Sequence, residues 1–376
     1  MAPPRLKAIV LGGGIGGVTA ALSLLEVGVE VQVFEQASSF SEIGAGIQAS
    51  PNSARVLVHL GLAASLDAVG VRPDRLESRH WEDGRLLGTH EVNGDPPPYG
   101  APHYLMYRAD LLRTLVAALP EGVICLERRA VRLEHDGDAA SVSFADGGEA
   151  SADVVIAADG IHSVVRSLLF GPDLPSFSGT VAYRGLVPAH KVASLAIPNT
   201  STKWWGPTPE HHLVHYHIAG GRLVNVVGVV PEQWETESWT TKGDVADFAR
   251  AFAAFHAPVP ELVGAVEEVY KFAIHDRPPL RTWTVGRVSL LGDAAHPMVP
   301  FMAQGAAMAI EDAAVLARCL NGTGGAEVAA ALARYDRTRR ERTDRMQLGS
   351  RMDTSDTWKA RDWVYGYDAY TAPLLD

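Results

Sequence analysis

Runs of consecutive apolar residues that stop at glycine alternate along this chain with stretches whose apolar positions recur every three to four residues. Lys7–Leu11 (KAIVL) reads as a buried strand, residues 18–27 carry helical spacing closed by Gly28, and Glu30–Phe34 reads as a second strand. Strand, helix and strand within about 30 residues make a βαβ unit. Between residues 180 and 231 the pattern changes to antiparallel-type alternation, with Gly220 and Gly221 as a hairpin turn between HLVHYHIA and RLVNVVGVV. Helical spacing returns at 245–255. After Arg287 come another buried strand (VSLLG), a loop and an alanine-rich helix starting near Gly305. The first and last α/β pieces are expected to share one sheet. Residues 93–102 (NGDPPPYGAP) and 170–179 (FGPDLPSFSG) interrupt the pattern and are candidate crossings between domains.

Composition narrows the partner. At about 150 residues per domain, 376 residues hold two or three domains. A net charge of −11, from 33 basic and 44 acidic residues with no run of five Lys or Arg, argues against a nucleic acid. No apolar segment reaches the roughly 18 residues of a membrane span, and no cleavage-site pattern follows the first apolar run. Two cysteines, Cys125 and Cys319, cannot build a disulfide framework, so a cytoplasmic setting is expected. A small molecule is the partner class that remains.

The chemistry-bearing motif comes first in the chain. Gly12, Gly14 and Gly17 form GxGxxG between a strand and a helix, and Glu35 ends the next strand 18 residues beyond Gly17. Gly12 permits the tight turn, Gly14 lets the backbone approach a pyrophosphate, and Gly17 lets helix and strand pack. Glu35 can accept hydrogen bonds from a ribose diol, and the helix N-terminus suits an anion. The motif alone does not choose between FAD and NAD. Asp159 with Gly160, and Gly292 with Asp293, follow two further buried strands, where ligands of doubly wound folds sit.

With these three motifs in this order, the chain resembles the single-component flavin-dependent aromatic hydroxylases, the p-hydroxybenzoate and salicylate hydroxylase family. GAGIQASPN at Gly44, YRADL at Tyr107, AYRGLVP at Ala182, KWWGP at Lys203, HLVHY at His212, HPMVPFMAQGAAMAIEDA at His296 and WVYGYD at Trp363 are similar to hydroxybenzoate, salicylate and 6-hydroxynicotinate monooxygenases. The resemblance implies an α/β fold: a Rossmann-like FAD-binding domain (1–75, 100–170 and 276–345), an antiparallel β-sheet substrate domain (76–99 and 171–275) and a C-terminal helical, aromatic tail (346–376). It implies FAD, NADH or NADPH as co-substrate, O2, and hydroxylation of a small phenolic acid through a C4a-hydroperoxyflavin. By the same resemblance Arg108, Asp159, Gly160 and Asp293 contact the cofactor, with Gln48 beside them, and the helix opening at Gly305 directs its dipole at the flavin. A larger polycyclic phenol as substrate, or a flavoprotein without turnover, are the alternatives.

Four histidines, His211, His212, His215 and His217, invite a metal, but alternation splits them between two faces and no Asp, Glu or Cys joins them. No metal is expected. His212 and Tyr216 match the family strand that points into the substrate pocket, with Gln304 facing them. A two-residue turn at Gly220 and Gly221 puts Asn225, Val227 and Val229 on the same face. A histidine near its ordinary pKa of about 6.5 is a natural acceptor for a phenolic proton, so His212 is the expected base, with Tyr216 and Gln304 orienting the hydroxyl. Water or Tyr216 as the base remains open. Gln48 and Phe301 stand where hydroxynicotinate enzymes carry histidine, whereas KWW and WVYGYD lean towards those enzymes. Both substrate classes stay open, as do monomer and homodimer. The aromatic tail from Trp358 is expected to pack against the protein, and residues 234–239 could bury within the chain or against a second subunit.

Overall fold

A computed structural model describes residues 5–40, 45–234, 240–351 and 361–376. The buried apolar strands meet in a six-stranded sheet ordered Thr284–Val285, Val288–Leu290, Val154–Ala157, Lys7–Leu11, Glu30–Phe34, Ile124–Cys125. All neighbours are parallel except the first pair. The two ends of the chain thus share one sheet, and its central strands are covered on both faces, which is why they read as apolar runs without alternation. Helix Ile15–Glu26 packs on it, and Gly305–Leu320 packs against that helix. The first starts directly after Gly14, not at residue 18, so Gly16 and Gly17 lie inside it. Low helix propensity hides this start, and tight packing overrides it: a Cβ on Gly17 would stand 2.0 Å from the Gly12 carbonyl oxygen.

The alternating segments build a seven-stranded sheet ordered Val269–Asp276, Ser176–Pro188, Leu223–Pro231, His212–Ile218, Thr200–Trp205, Arg75–His80, Leu86–Glu91. Its Ser176–Pro188 strand begins inside the expected connector 170–179. The hairpin pairs Tyr216 with Asn225, Val214 with Val227 and His212 with Val229, the register of a two-residue turn at Gly220 and Gly221. Thr200–Trp205 and Arg75–His80 run parallel; the other neighbours are antiparallel. One face of this sheet is packed by Phe248, Phe252, Leu262 and Val263 from helices Val245–Phe252 and Val259–Gly264. The other face carries His212 and Tyr216.

A three-stranded sheet spans 130–152, and Gly46–Ala49 pairs with Tyr104–Tyr107. The helix Val328–Ser350 runs unbroken across the expected division at 345, so the tail begins later than expected. Within residues 361–376, Val364, Tyr365 and Ala369 are buried, so this part of the tail packs. Trp358 and residues 235–239 lie outside the described residues. Among the described residues no helix is long and apolar enough to cross a membrane.

Candidate active site

The first half of the site is a cleft of about 360 Å³ at the C-terminal edge of the parallel sheet, lined among others by Gly12, Gly14, Glu35, Asp159, Gly160 and His162. A Cβ on Gly12 would stand 2.3 Å from the Ala158 carbonyl oxygen, whereas one on Gly14 meets nothing within 4 Å. The loop is therefore closed beneath and open above. Glu35 accepts the backbone N–H of Gly13 at 2.7 Å and of Ala37 at 2.8 Å, which fixes its carboxylate at the rim. Asp159 caps the Val164–Phe170 helix through Oδ2, which accepts from the Val164 amide at 2.9 Å, while buried Oδ1 has no hydrogen-bond partner among the described residues. Burial raises its carboxyl pKa, opposed by Ser163 and the helix amides.

Beyond the residues that line this cleft, Asp293 is exposed at the end of its strand, yet the protein around it desolvates its carboxyl and raises the pKa against the pull of His296 and Arg108. Arg108, at the start of Arg108–Ala117, has its own pKa lowered by burial, with Asp293 opposing. A Cβ on Gly305 would lie 3.7 Å from Asp293 Oδ1, so the start of the Gly305–Leu320 helix faces the same space.

The second half is the face of the seven-stranded sheet opposite its helices. His212 is 3% exposed, with its ring edge-on to Phe301 at 5.2 Å and tilted against Trp205 at 5.9 Å. Its Nδ1 lies 3.1 Å from the Pro209 carbonyl, which can only accept, so Nδ1 carries the proton and Nε2 is the basic nitrogen. The expected ordinary pKa does not hold. Burial first, and then the Lys203 ammonium, push it well below 6.5.

Tyr216 lies against the Gly46 backbone, with its hydroxyl 2.6 Å from where a Cβ would be, and Asn225 accepts the Gly46 amide at 2.7 Å. Burial raises the Tyr216 pKa, opposed by Arg184 and a hydrogen bond from Gln48. Gln48 also donates to Ser201 at 3.3 Å and accepts from His103 Nε2 at 3.2 Å. His103 is fully buried, and burial drops its pKa to about 3. Gln304 is not hydrogen-bonded to Tyr216: its amide donates to Ser50 at 3.0 Å and accepts from Asn52 at 3.1 Å. His211, His215 and His217 face the other way. His211 packs on Phe252 and Phe255, His215 accepts from Trp204 Nε1 at 3.1 Å, and His217 Nε2 meets the Ile197 carbonyl at 3.2 Å.

A family model described as an FAD binding domain matches residues 5–348. The 3-amino-4-hydroxybenzoate 2-monooxygenase PtmB3 of Streptomyces platensis is 41% identical across 97% of both chains. The 6-hydroxynicotinate 3-monooxygenase of Pseudomonas fluorescens is 38% identical across 99% of this chain and 97% of its own. The chain belongs to the FAD-dependent aromatic hydroxylases. Klebsiella pneumoniae HpxO, solved with FAD and uric acid, has the same fold, with TM-score 0.83 and 29% identity over 95% of this chain and 91% of that one.

FAD is the cofactor of this hydroxylase, and the residues at the cleft fit it. The open cradle over Gly14, the unpartnered Asp159 oxygen and the rim carboxylate of Glu35 suit a pyrophosphate and a ribose.

Beneath the hydroxylase site lies a group of charges that the motifs did not reveal. Glu311 and Asp312, both fully buried, meet Arg339 at 2.7 Å each, and Arg342 holds Glu311 at 2.7 Å. Asp312 further accepts His296 Nε2 at 2.6 Å and the Gly292 amide at 3.1 Å; Asn52 donates to Glu311 at 2.7 Å and so links it to Gln304. Burial raises both carboxyl pKa values, but the arginines and His296 hold them below the ordinary range. The available signal was an adjacent acidic pair flanked on both sides by apolar residues of the helix, since buried carboxylates require cationic partners.

Proposed function

We propose that this FAD-dependent monooxygenase hydroxylates a small aromatic acid that already bears a ring hydroxyl, of the hydroxybenzoate, salicylate or hydroxynicotinate type. The observation that carries this reading is the His212 geometry: a neutral imidazole, its Nδ1 proton committed to Pro209, on the same sheet face as Tyr216 and separated from it by the half-buried row of Val214 and Val227. The six-stranded body would hold FAD through Gly12, Gly14, Gly17, Glu35, Asp159 and Gly160, with Arg108, Asp293 and Gly305 towards the flavin. The seven-stranded sheet would hold the substrate, with Val227, Gln48 and Phe301 around the ring.

FAD, reduced by NADH or NADPH, supplies the activated oxygen when bound. The protein's part is to bind, orient and move a proton. His212 Nε2 accepts the phenolic proton, which puts electron density on the ring carbon that is oxidised. Tyr216, held against the Gly46 backbone, donates its hydroxyl proton to the substrate and sets its orientation. Phe301 and Val299 cover His212's row and exclude water.

Incubating the FAD-loaded protein with hydroxybenzoates, salicylate and hydroxynicotinates, and following NADH and NADPH oxidation with product identification, tests the reading. A ring-hydroxylated product supports it; nicotinamide oxidation that no member of the panel stimulates refutes it.

A further inference from the structure

The sheet face that carries His212 is closed along two transverse rows and open along the one between them. Trp205, His212, Val229, Ala182 and Phe272 stand opposite one another in register and are all buried, with Val299 and Phe301 packed against this row. Tyr216 and Asn225 form the other closed row, against Gly46 and Gln48. Between these, Lys203, Val214, Val227, Arg184 and Tyr270 stand opposite one another in turn, and every one is only half-buried.

The open floor is therefore two valines with a cation at either end, three strand spacings or roughly 14 Å apart at the backbone. Its two ends differ. Arg184 lies over the Phe272 ring at 4.7 Å and within electrostatic range of Arg108, which itself feels Asp293 on the cofactor side. At the far end, the Lys203 ammonium sits 3.9 Å from the centre of the Trp205 ring and 3.4 Å from the Phe301 carbonyl oxygen. Ring and carbonyl hold that charge at the wall of the pocket beside His212.

We propose that Lys203 is a specificity-determining residue that binds the anionic substituent of the substrate, a ring carboxylate, at the end of the floor away from the cofactor. This rests on the reading of the protein as a hydroxylase of phenolic acids and names the residue that selects the acid. An ammonium on a half-buried wall makes a charge-assisted hydrogen bond to a carboxylate, while the two valines take the ring face. There is a second consequence. Lys203 is one of the charges that hold the His212 imidazolium down, so a carboxylate that neutralises Lys203 strengthens the base as it binds. The substrate's acid group then both anchors it and prepares His212 for its hydroxyl.

The test compares each hydroxybenzoate, salicylate and 6-hydroxynicotinate with its uncharged carboxamide. Binding is read by titrating the flavin spectrum of the FAD-loaded wild type and of Lys203→Gln and Lys203→Arg. Lys203→Gln is expected to weaken the acids that bind by about 10- to 100-fold and to leave the carboxamides within about threefold, with Lys203→Arg close to wild type for the acids. Equal weakening of acid and amide, no weakening of either, or a wild type that does not prefer the acids overturns the anchor. Charge-selective binding without hydroxylation of any ligand would instead overturn the functional reading and leave the anchor standing.

Discussion

His212 Nδ1 donates to the Pro209 carbonyl at 3.1 Å, and this single contact decides which nitrogen of the imidazole can take a proton. Replacing the ring removes the acceptor without touching the cofactor cleft. His212→Ala is expected to retain FAD and to lose about 10²- to 10⁴-fold in coupled hydroxylation. The FAD content and product yield of the purified variant check this.

The same residue sets a pH dependence. Lys203 and the Trp205 and Phe301 rings face His212, with His211 next to it in the chain on the opposite face, and burial and Lys203 both lower its pKa. The base is neutral above that pKa and protonated below it, so the acidic limb of kcat/KM is expected below pH ~6.5. In Lys203→Gln one depressing charge is gone and the limb moves to higher pH. A limb that stays in place would detach Lys203 from the base.

Gly14 and Gly17 predict opposite behaviours. A Cβ on Gly14 meets open space, and Gly14→Ala is expected to fold with the Tm of the wild-type apoprotein and lose FAD because the methyl occupies the cradle. Gly17→Ala collides with the Gly12 carbonyl at 2.0 Å and is expected to lose both FAD and stability, by about 1–3 kcal/mol. Thermal unfolding with flavin retention separates the two.

His103 and His215 are fully buried, and burial lowers each pKa to about 3. The unfolded chain takes up protons at these residues near pH 6.5 and the native protein does not. Stability therefore falls as pH drops from ~6.5 towards 3, by up to about 1.4 kcal/mol per pH unit for each histidine. His215→Gln is expected to lower Tm at pH 7, through the lost Trp204 bond, and to make its decline between pH 6.5 and 4 shallower.

Arg339 is the centre of the buried charges, and Arg339→Met leaves Glu311 and Asp312 short of a partner. The expected cost is about 3–5 kcal/mol, seen as a large fall in Tm. Adding Asp312→Asn should recover part of it.

Much of this was legible in the sequence where the governing interactions are local. Two adjacent glycines set the hairpin register, and alternation then put His212 and Tyr216 on one face and His211, His215 and His217 on the other. The dinucleotide loop was legible as a strand, glycines and helix in immediate succession, although Gly12 also answers to the Ala158 carbonyl from a strand far along the chain. What was hidden depends on residues far apart in the chain. The parallel pairing of Thr200–Trp205 with Arg75–His80 follows from tertiary packing, not from any local pattern. Gln304 matches a motif, but its amide is claimed by Ser50 and Asn52 from the other end of the protein. His212's weakened basicity likewise comes from burial and from a lysine on a separate strand.

The most direct test of the central claim is turnover of the FAD-loaded protein with a nicotinamide nucleotide, a phenolic acid and dioxygen carrying the heavy oxygen isotope, with the product weighed by mass spectrometry. A hydroxylated ring carrying a single heavy oxygen atom is the predicted result. Nicotinamide oxidation that yields only hydrogen peroxide with every phenolic acid would contradict it.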